Sequence, residues 1–117
     1  MKNLIKKILK ENEFDWVKEH EFTQDEVIQH IKDNNITEWT FGEHWDGKLE
    51  LYGTNITSLG NLESVGGYLD LEETKITSLG NLQSVGGYLD LEETPISKTH
   101  SEEQIRQSVQ VDGDIYL

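Results

Sequence analysis

The reactive side chains of this sequence are carboxylates and phenols, and they recur at one spacing. Tyr68 and Tyr88, Asp70 and Asp90, Glu72 and Glu92, and Glu73 and Glu93 each lie twenty residues apart. Glu50, Tyr52, Asp114 and Tyr116 fall on the same lines when neighbouring segments are aligned. Carboxylates in such density attract cationic partners, hold hard cations or exchange protons. Tyrosines add rigid contact surface with an apolar face and a polar tip. Acid–base catalysis needs a carboxylate whose pKa is displaced in a cleft, and residues on an open strand face stay solvated. No enzymatic activity and no cofactor are therefore expected. The aspartates have neither the spacing of an EF-hand loop nor a GGxGxD repeat, so no metal site is expected either.

Other chemistries lack their residues. There is no cysteine, which removes disulfides, thiolate metal sites and thiol nucleophiles. His20, His30, His44 and His100 are far apart and form no H-x-x-x-H or H-E-x-x-H motif. They read as surface or junction residues. Gly66-Gly67 and Gly86-Gly87 precede candidate strands, the wrong end of an element to cradle a phosphate. The Asn-Ile-Thr sequons at 35–37 and 55–57 have no secretion signal to give them meaning.

The chain's 117 residues suit one compact domain. Ten Lys and Arg face 23 Asp and Glu, a formal net charge of −13. That balance excludes a general nucleic-acid binder, whose basic face must neutralise phosphates. Uninterrupted apolar runs such as Leu4-Ile5, Ile8-Leu9 and Trp16-Val17 are two residues long, so no membrane span or signal peptide is expected. The expected location is the cytoplasm.

Repetition decides the expected architecture. Residues 49–68 and 69–88 are identical at 15 of 20 positions. A third copy begins at 89, and its end returns at 111–117 with spacing 26, so it carries a six-residue insertion. Ser101 can cap a short helix over 101–107 within that insertion. A degenerate first unit covers roughly 36–48, where Ile36 and Trp39 match Ile56 and Leu59. A twenty-residue unit cannot bury a core alone, so stacked units must share one. The alternation in L-x-L places one strand per unit in a parallel ladder near 48–52, 68–72, 88–92 and 114–117, leucines inward. Ile76, Leu79, Leu82 and Val85 turn inward on the return path. Gly60, Gly80 and the glycine pairs are expected to make tight turns. Thr54, Thr74 and Thr94 recur at one bend, where hydroxyls can satisfy buried backbone groups.

Residues 1–35 read as a helical cap. A basic amphipathic helix over 2–12 carries Lys2, Lys6, Lys7 and Lys10 around a stripe of Leu4, Ile5, Ile8 and Leu9. A second helix over 24–33 has Thr23 as cap, with Glu26 at capping-box spacing, and Val27, Ile28 and Ile31 on one face. Phe14, Trp16, Val17 and Phe22 fill the junction with the body.

The pattern L-x-L-x-x-T-x-I-x-S-L-G-N-L-x-S-V-G-G resembles the short leucine-rich-repeat relatives common in bacterial and phage proteins, and the repeats of receptor L domains. The resemblance covers about 45–97, with Thr where many leucine-rich repeats have Asn. It implies an α+β fold: a short leucine-rich-repeat-like solenoid over 36–117 with a small parallel β-sheet and an N-terminal helical cap. It carries no function of its own.

The outward strand positions form columns: Lys48, Tyr68, Tyr88, Asp114; then Glu50, Asp70, Asp90, Tyr116; then Tyr52, Glu72, Glu92, with Glu73 and Glu93 just outside. Between 49 and 97 eight acids face the single base Lys75. Duplication alone copies charges, but the same face suits a cationic protein surface with Tyr68 and Tyr88 as anchors. The expected partner is a basic protein, a nucleic-acid-binding protein or CRISPR-type nuclease, with no direct nucleic acid and no membrane. By type the chain resembles small phage-encoded anti-CRISPR inhibitors that block nucleic-acid access. The alternative is a non-enzymatic assembly protein forming a homodimer through an open C-terminal strand edge. Carbohydrate or peptide recognition by the tyrosine stripe is a third reading.

Overall fold

The computed structural model describes residues 23–117. The expected basic helix 2–12, His20 and the junction residues Phe14, Trp16, Val17 and Phe22 lie outside the described residues.

The fold is α+β, with two four-stranded parallel sheets and few helices. Helix α1 spans Gln24–Asp33 behind a complete capping box, in which Thr23 accepts from the N–H of Glu26 and Glu26 returns the bond. Its buried residues are Val27 and Ile31, with Ile28 packed in part. The strands are β1 (His44–Trp45), β2 (Leu49–Glu50), β3 (Ser64–Val65), β4 (Leu69–Asp70), β5 (Ser84–Val85), β6 (Leu89–Asp90), β7 (Gln110–Val111) and β8 (Ile115–Tyr116).

One ladder was to be expected from the alternation, and it forms as β2-β4-β6-β8. Leu49, Leu69, Leu89 and Ile115 lie in register, offset by 20, 20 and 26 residues. Leu49, Leu51, Leu69, Leu71, Leu89 and Leu91 are fully buried. The second sheet, β1-β3-β5-β7, had no alternation to announce it. Its strands are two-residue steps, Ser-Val in β3 and β5, that pair because the chain passes over the core there, where a backbone N–H must find a partner. Single bridges Glu38↔Ser58 and Ser58↔Ser78 add a third line of contact. Trp39 stands in the core at the Leu59 position, edge-on to Phe41 (5.1 Å) and Trp45 (5.7 Å).

The bends are closed by side chains. Thr54, Thr74 and Thr94 are buried, and each hydroxyl donates to the carbonyl three residues back, at 2.9, 2.8 and 2.6 Å. Each satisfies its own unit's backbone, and no hydroxyl-to-hydroxyl ladder is needed. Thr94 also accepts from the N–H of Ser97, which caps α2 (Pro95–Thr99). A second helix, α3 (Glu102–Ser108), follows with Ser101 as cap. The third unit thus holds two helices where one was expected, because Pro95 at the first position of α2 can start a helix right after the bend.

The glycines sit where the chain turns or bends, and they divide by role. Gly60 and Gly80 have left-handed φ of 51° and 59°. Gly66, Gly67, Gly86 and Gly87 do not adopt that region; they are needed because backbones of successive units touch there. A Cβ on Gly86 would sit 2.1 Å from the carbonyl oxygen of Gly66, whereas one on Gly66 would meet the Gly47 nitrogen at 3.2 Å.

The outer edge of β2 is sealed by one carboxamide. Gln24 donates through Nε2 to the Glu50 carbonyl (2.6 Å), and its Oε1 accepts from the Glu50 N–H (2.7 Å). One side chain thereby imitates the peptide group of a preceding strand. At the other end, Arg106 of α3 donates to the carbonyls of Val111 (2.9 Å) and Gly113 (2.8 Å). Among the described residues no helix is long and apolar enough to cross a membrane.

Two stability measurements follow from this packing. Gly86→Ala should cost at least about 2 kcal/mol in urea unfolding, because backbone blocks the new methyl. Gly66→Ala should be near neutral, since its 3.2 Å contact is offset by the freedom alanine removes from the unfolded chain. Equal losses would refute the backbone-contact account. Gln24→Ala should cost about 1–3 kcal/mol by stripping both partners from a part-buried strand edge, and amide exchange should accelerate at Glu50 before other strand positions.

Candidate functional site

The outward face of β2-β4-β6-β8 follows from the strand period: inward leucines leave the residues between them outside. Parallel register then lays like residues over like. Asp70 pairs in register with Glu50 and Asp90, and Asp90 with Tyr116.

Tyr68 and Tyr88 are stacked, with ring centres 4.4 Å apart and planes 6° from parallel. Tyr116 belongs to the neighbouring column, yet its ring meets Tyr88 edge-on at 5.6 Å and 75°. The three phenols therefore make one aromatic row, a diagonal contact that the columns did not foretell. Longer side chains reach diagonal neighbours on a sheet face. The Tyr68 hydroxyl donates to Glu50 Oε2. That bond, followed by burial and the Glu50 charge, holds the phenol well above its ordinary pKa. Tyr88 is raised first by burial, then by Asp70, with Asp90 and Glu50 adding to it. Tyr52 is 48% exposed, and its pKa is raised first by the charge of Glu73 and then by a hydrogen bond to it. All three stay protonated near neutrality, and Tyr68 and Tyr52 donate to Glu50 and Glu73.

The carboxylates crowd beside this row. One oxygen each from Asp70, Glu72 and Asp90 lies within 4.8 Å of the others. Asp70 and Asp90 are also structural: each accepts the N–H two residues on, from Glu72 (2.9 Å) and Glu92 (3.0 Å). Burial raises the Asp70 pKa most; the Glu72 N–H pulls the other way, and Asp90 and Glu50 raise it further. Glu72 is raised by partial desolvation, then by Asp90 and Asp70. None of these carboxylates has a cationic partner among the described residues.

Glu73 and Glu93 stand where the chain bends away, in left-handed backbone (φ 61° and 59°) at the position of Gly53. A non-glycine residue there costs about 1 kcal/mol. Tyr52 and Glu92 share this margin. Asp114 is exposed at the far column, its carbonyl accepting from Leu89. The structure thus gathers Glu50, Tyr68, Asp70, Glu72, Tyr88, Asp90 and Tyr116 on one face, with Tyr52, Glu73, Glu92, Glu93 and Asp114 around it.

Sequence reasoning missed a second grouping, on the face of β1-β3-β5-β7. One ligand atom each from Glu43, His44 and Glu63 lies within 4.8 Å of the others. A groove of about 470 Å³ runs beside them over His44, Trp45, Ser64, Gly66, Ser84 and Gly86. The twenty-residue spacing of Glu43 and Glu63 was the available signal, hidden by the degeneracy of the first unit.

No family model, no curated protein and no solved structure matches the chain.

The raised Asp70 pKa has a stability consequence. In the folded state Asp70 binds its proton more readily than in the unfolded chain. Its contribution is therefore unfavourable above the folded pKa and relaxes as pH falls toward the ordinary value of 3.8. Asp70→Asn, which keeps the acceptor for the Glu72 N–H, should raise Tm at pH 7. The gain should vanish in melts near pH 3.8; a gain constant across that range would rule out charge as its cause.

Proposed function

We propose that the chain is a short leucine-rich-repeat-like solenoid whose acidic, tyrosine-bearing face binds a basic protein surface. The constant register of both sheets, offset by 20, 20 and 26 residues, supports the solenoid. The observation that carries the binding role is the density of carboxylates, without cationic partners among the described residues, beside a rigid aromatic row. Asp70, Glu72 and Glu73 belong to one unit, and Asp90, Glu92 and Glu93 to the next. Strands repeat about every 4.8 Å, so three carboxylates per unit place one charge per about 1.6 Å of axis. Duplex DNA carries one per about 1.7 Å.

A groove built to attract phosphates would meet a matching charge density here. The partner in this reading is a nucleic-acid-binding protein, and the chain acts as a non-enzymatic inhibitor that blocks nucleic-acid access. A host nuclease blocked by a phage protein of the anti-CRISPR type, inside the bacterial cytoplasm, is the setting that fits. Tyr68, Tyr88 and Tyr116 supply contact area with little rotamer freedom left to lose, because they already hold one another.

A second reading rests on β8. It is the last strand in its sheet order, and its Tyr116 and the following Leu117 are 42% and 41% exposed. Antiparallel pairing of two such edges would give a closed homodimer.

The test is capture of bound proteins from bacterial lysate on the tagged chain, with elution by rising salt or by competing DNA. The inhibitor reading expects a nucleic-acid-binding protein, released by both. A variant combining Asp70→Asn, Asp90→Asn, Glu72→Lys and Glu92→Lys keeps both turn acceptors and should fold cooperatively while losing at least tenfold in affinity. Undiminished capture by the folded variant would remove this face as the interface. A salt-insensitive dimer in sedimentation, broken by Ile115→Pro, would support the assembly reading instead.

A further inference from the structure

We propose that Glu43, His44 and Glu63 bind one divalent transition-metal ion of the zinc type beside the groove on the β1-β3-β5-β7 face. This rests on different residues, on a different sheet, from the binding face above, and either can fail without the other.

The donor set is the first argument. Two carboxylate oxygens and one imidazole nitrogen suit zinc, whereas calcium and magnesium take oxygen alone. Zinc–ligand bonds of about 2.0–2.2 Å put tetrahedral ligand atoms about 3.3 Å apart. The three donors already lie within 4.8 Å of one another. Closing the remaining distance asks only for side-chain rotation, and both glutamates have several torsions to supply it. The backbone beneath them is fixed: the Glu63 and Ser64 N–H groups both donate to the Glu43 carbonyl, at 2.7 and 3.0 Å.

The imidazole is held as well. His44 Nδ1 lies 2.5 Å from the Ser64 hydroxyl, a contact that fixes the ring's orientation. Three protein ligands leave one coordination position open, and His44 itself lines the neighbouring groove. A water or a small anionic ligand entering by that groove would complete the tetrahedron.

The departures from the repeat point the same way. His44 pairs in register with Ser64, and Ser64 with Ser84. Glu63 becomes Gln83 in the next unit, although most of the twenty positions are unchanged. Copying a unit copies its residues, so duplication alone does not produce a grouping confined to one end of the ladder. Imidazole and paired carboxylates coincide only where the sequence breaks its own pattern. An imidazolium resting between two carboxylates would use the same residues without a metal, and the experiment must separate the two.

The experiment is titration of the full, tag-free chain with zinc chloride, read by calorimetry and by thermal melting, with calcium chloride as comparison. The expected result is one zinc per chain, a Tm that rises with zinc concentration, and no comparable response to calcium. His44→Ser and Glu63→Gln place at each position the residue that the neighbouring unit already carries, so both should fold. Each should weaken zinc binding at least tenfold, while Asp70→Asn leaves it unchanged. No zinc binding by the wild-type chain at millimolar zinc would overturn the proposal. So would wild-type affinity in both variants, loss of binding in Asp70→Asn, or equal binding of calcium.

Discussion

Twenty residues cannot bury their own leucines, so each unit of this chain is folded only where the next lies on it. That dependence sets everything else. Leu49, Leu69 and Leu89 can share one core only if units stack in parallel with constant register, and the offsets in the sheets obey this. Each fully buried leucine contributes about 1.5–3 kcal/mol. The charge repulsion that the same register imposes on Glu50, Asp70 and Asp90 costs about a few tenths of a kcal/mol per exposed pair. Burial on one side of the strand therefore outweighs crowding on the other, and the acidic face is a tolerated consequence of the core.

Close stacking also decides which residues may stand at the corners. Where backbones of successive units touch, as Gly86 does Gly66, only hydrogen fits. Where the chain turns under a leucine strand, a buried threonine returns a hydrogen bond to the carbonyl three residues back. These are solutions to one requirement: a chain crossing its own core must leave neither a clash nor an unpaired backbone group. The tyrosine row obeys it too, since rings repeated at strand spacing must lie flat on one another, as Tyr68 and Tyr88 do.

A stack of sheets has two ends, and the two are treated differently. At β2 the Gln24 carboxamide pairs with the Glu50 peptide group as a strand would, while Trp39 and Phe41 are buried and Trp45 packs edge-on against Trp39. At β7 the guanidinium of Arg106, held also by Glu102, takes up free carbonyls. These end residues depart from the repeat because their environment is not repeated. The Glu43, His44 and Glu63 grouping belongs to the same irregular end.

Much was legible from residue order. The L-x-L alternation located the inward leucines, the recurring threonines marked the bends, and Thr23 with Glu26 marked the start of α1, because each depends on neighbours within a few residues or on a fixed repeat. The acidic columns followed from the repeat length alone. Other features depend on where distant segments come to rest. The Ser-Val sheet has no period of its own, and its pairing arises from buried backbone seeking partners. The role of Gly86 is fixed by an oxygen twenty residues earlier, not by its own dihedral angle. Tyr116 joins Tyr88 across a diagonal, and Gln24 finds Glu50 across 26 residues. Local sequence specifies which backbone and side-chain periods are available; the stacking of units in three dimensions determines which groups those periods bring within a hydrogen bond's length.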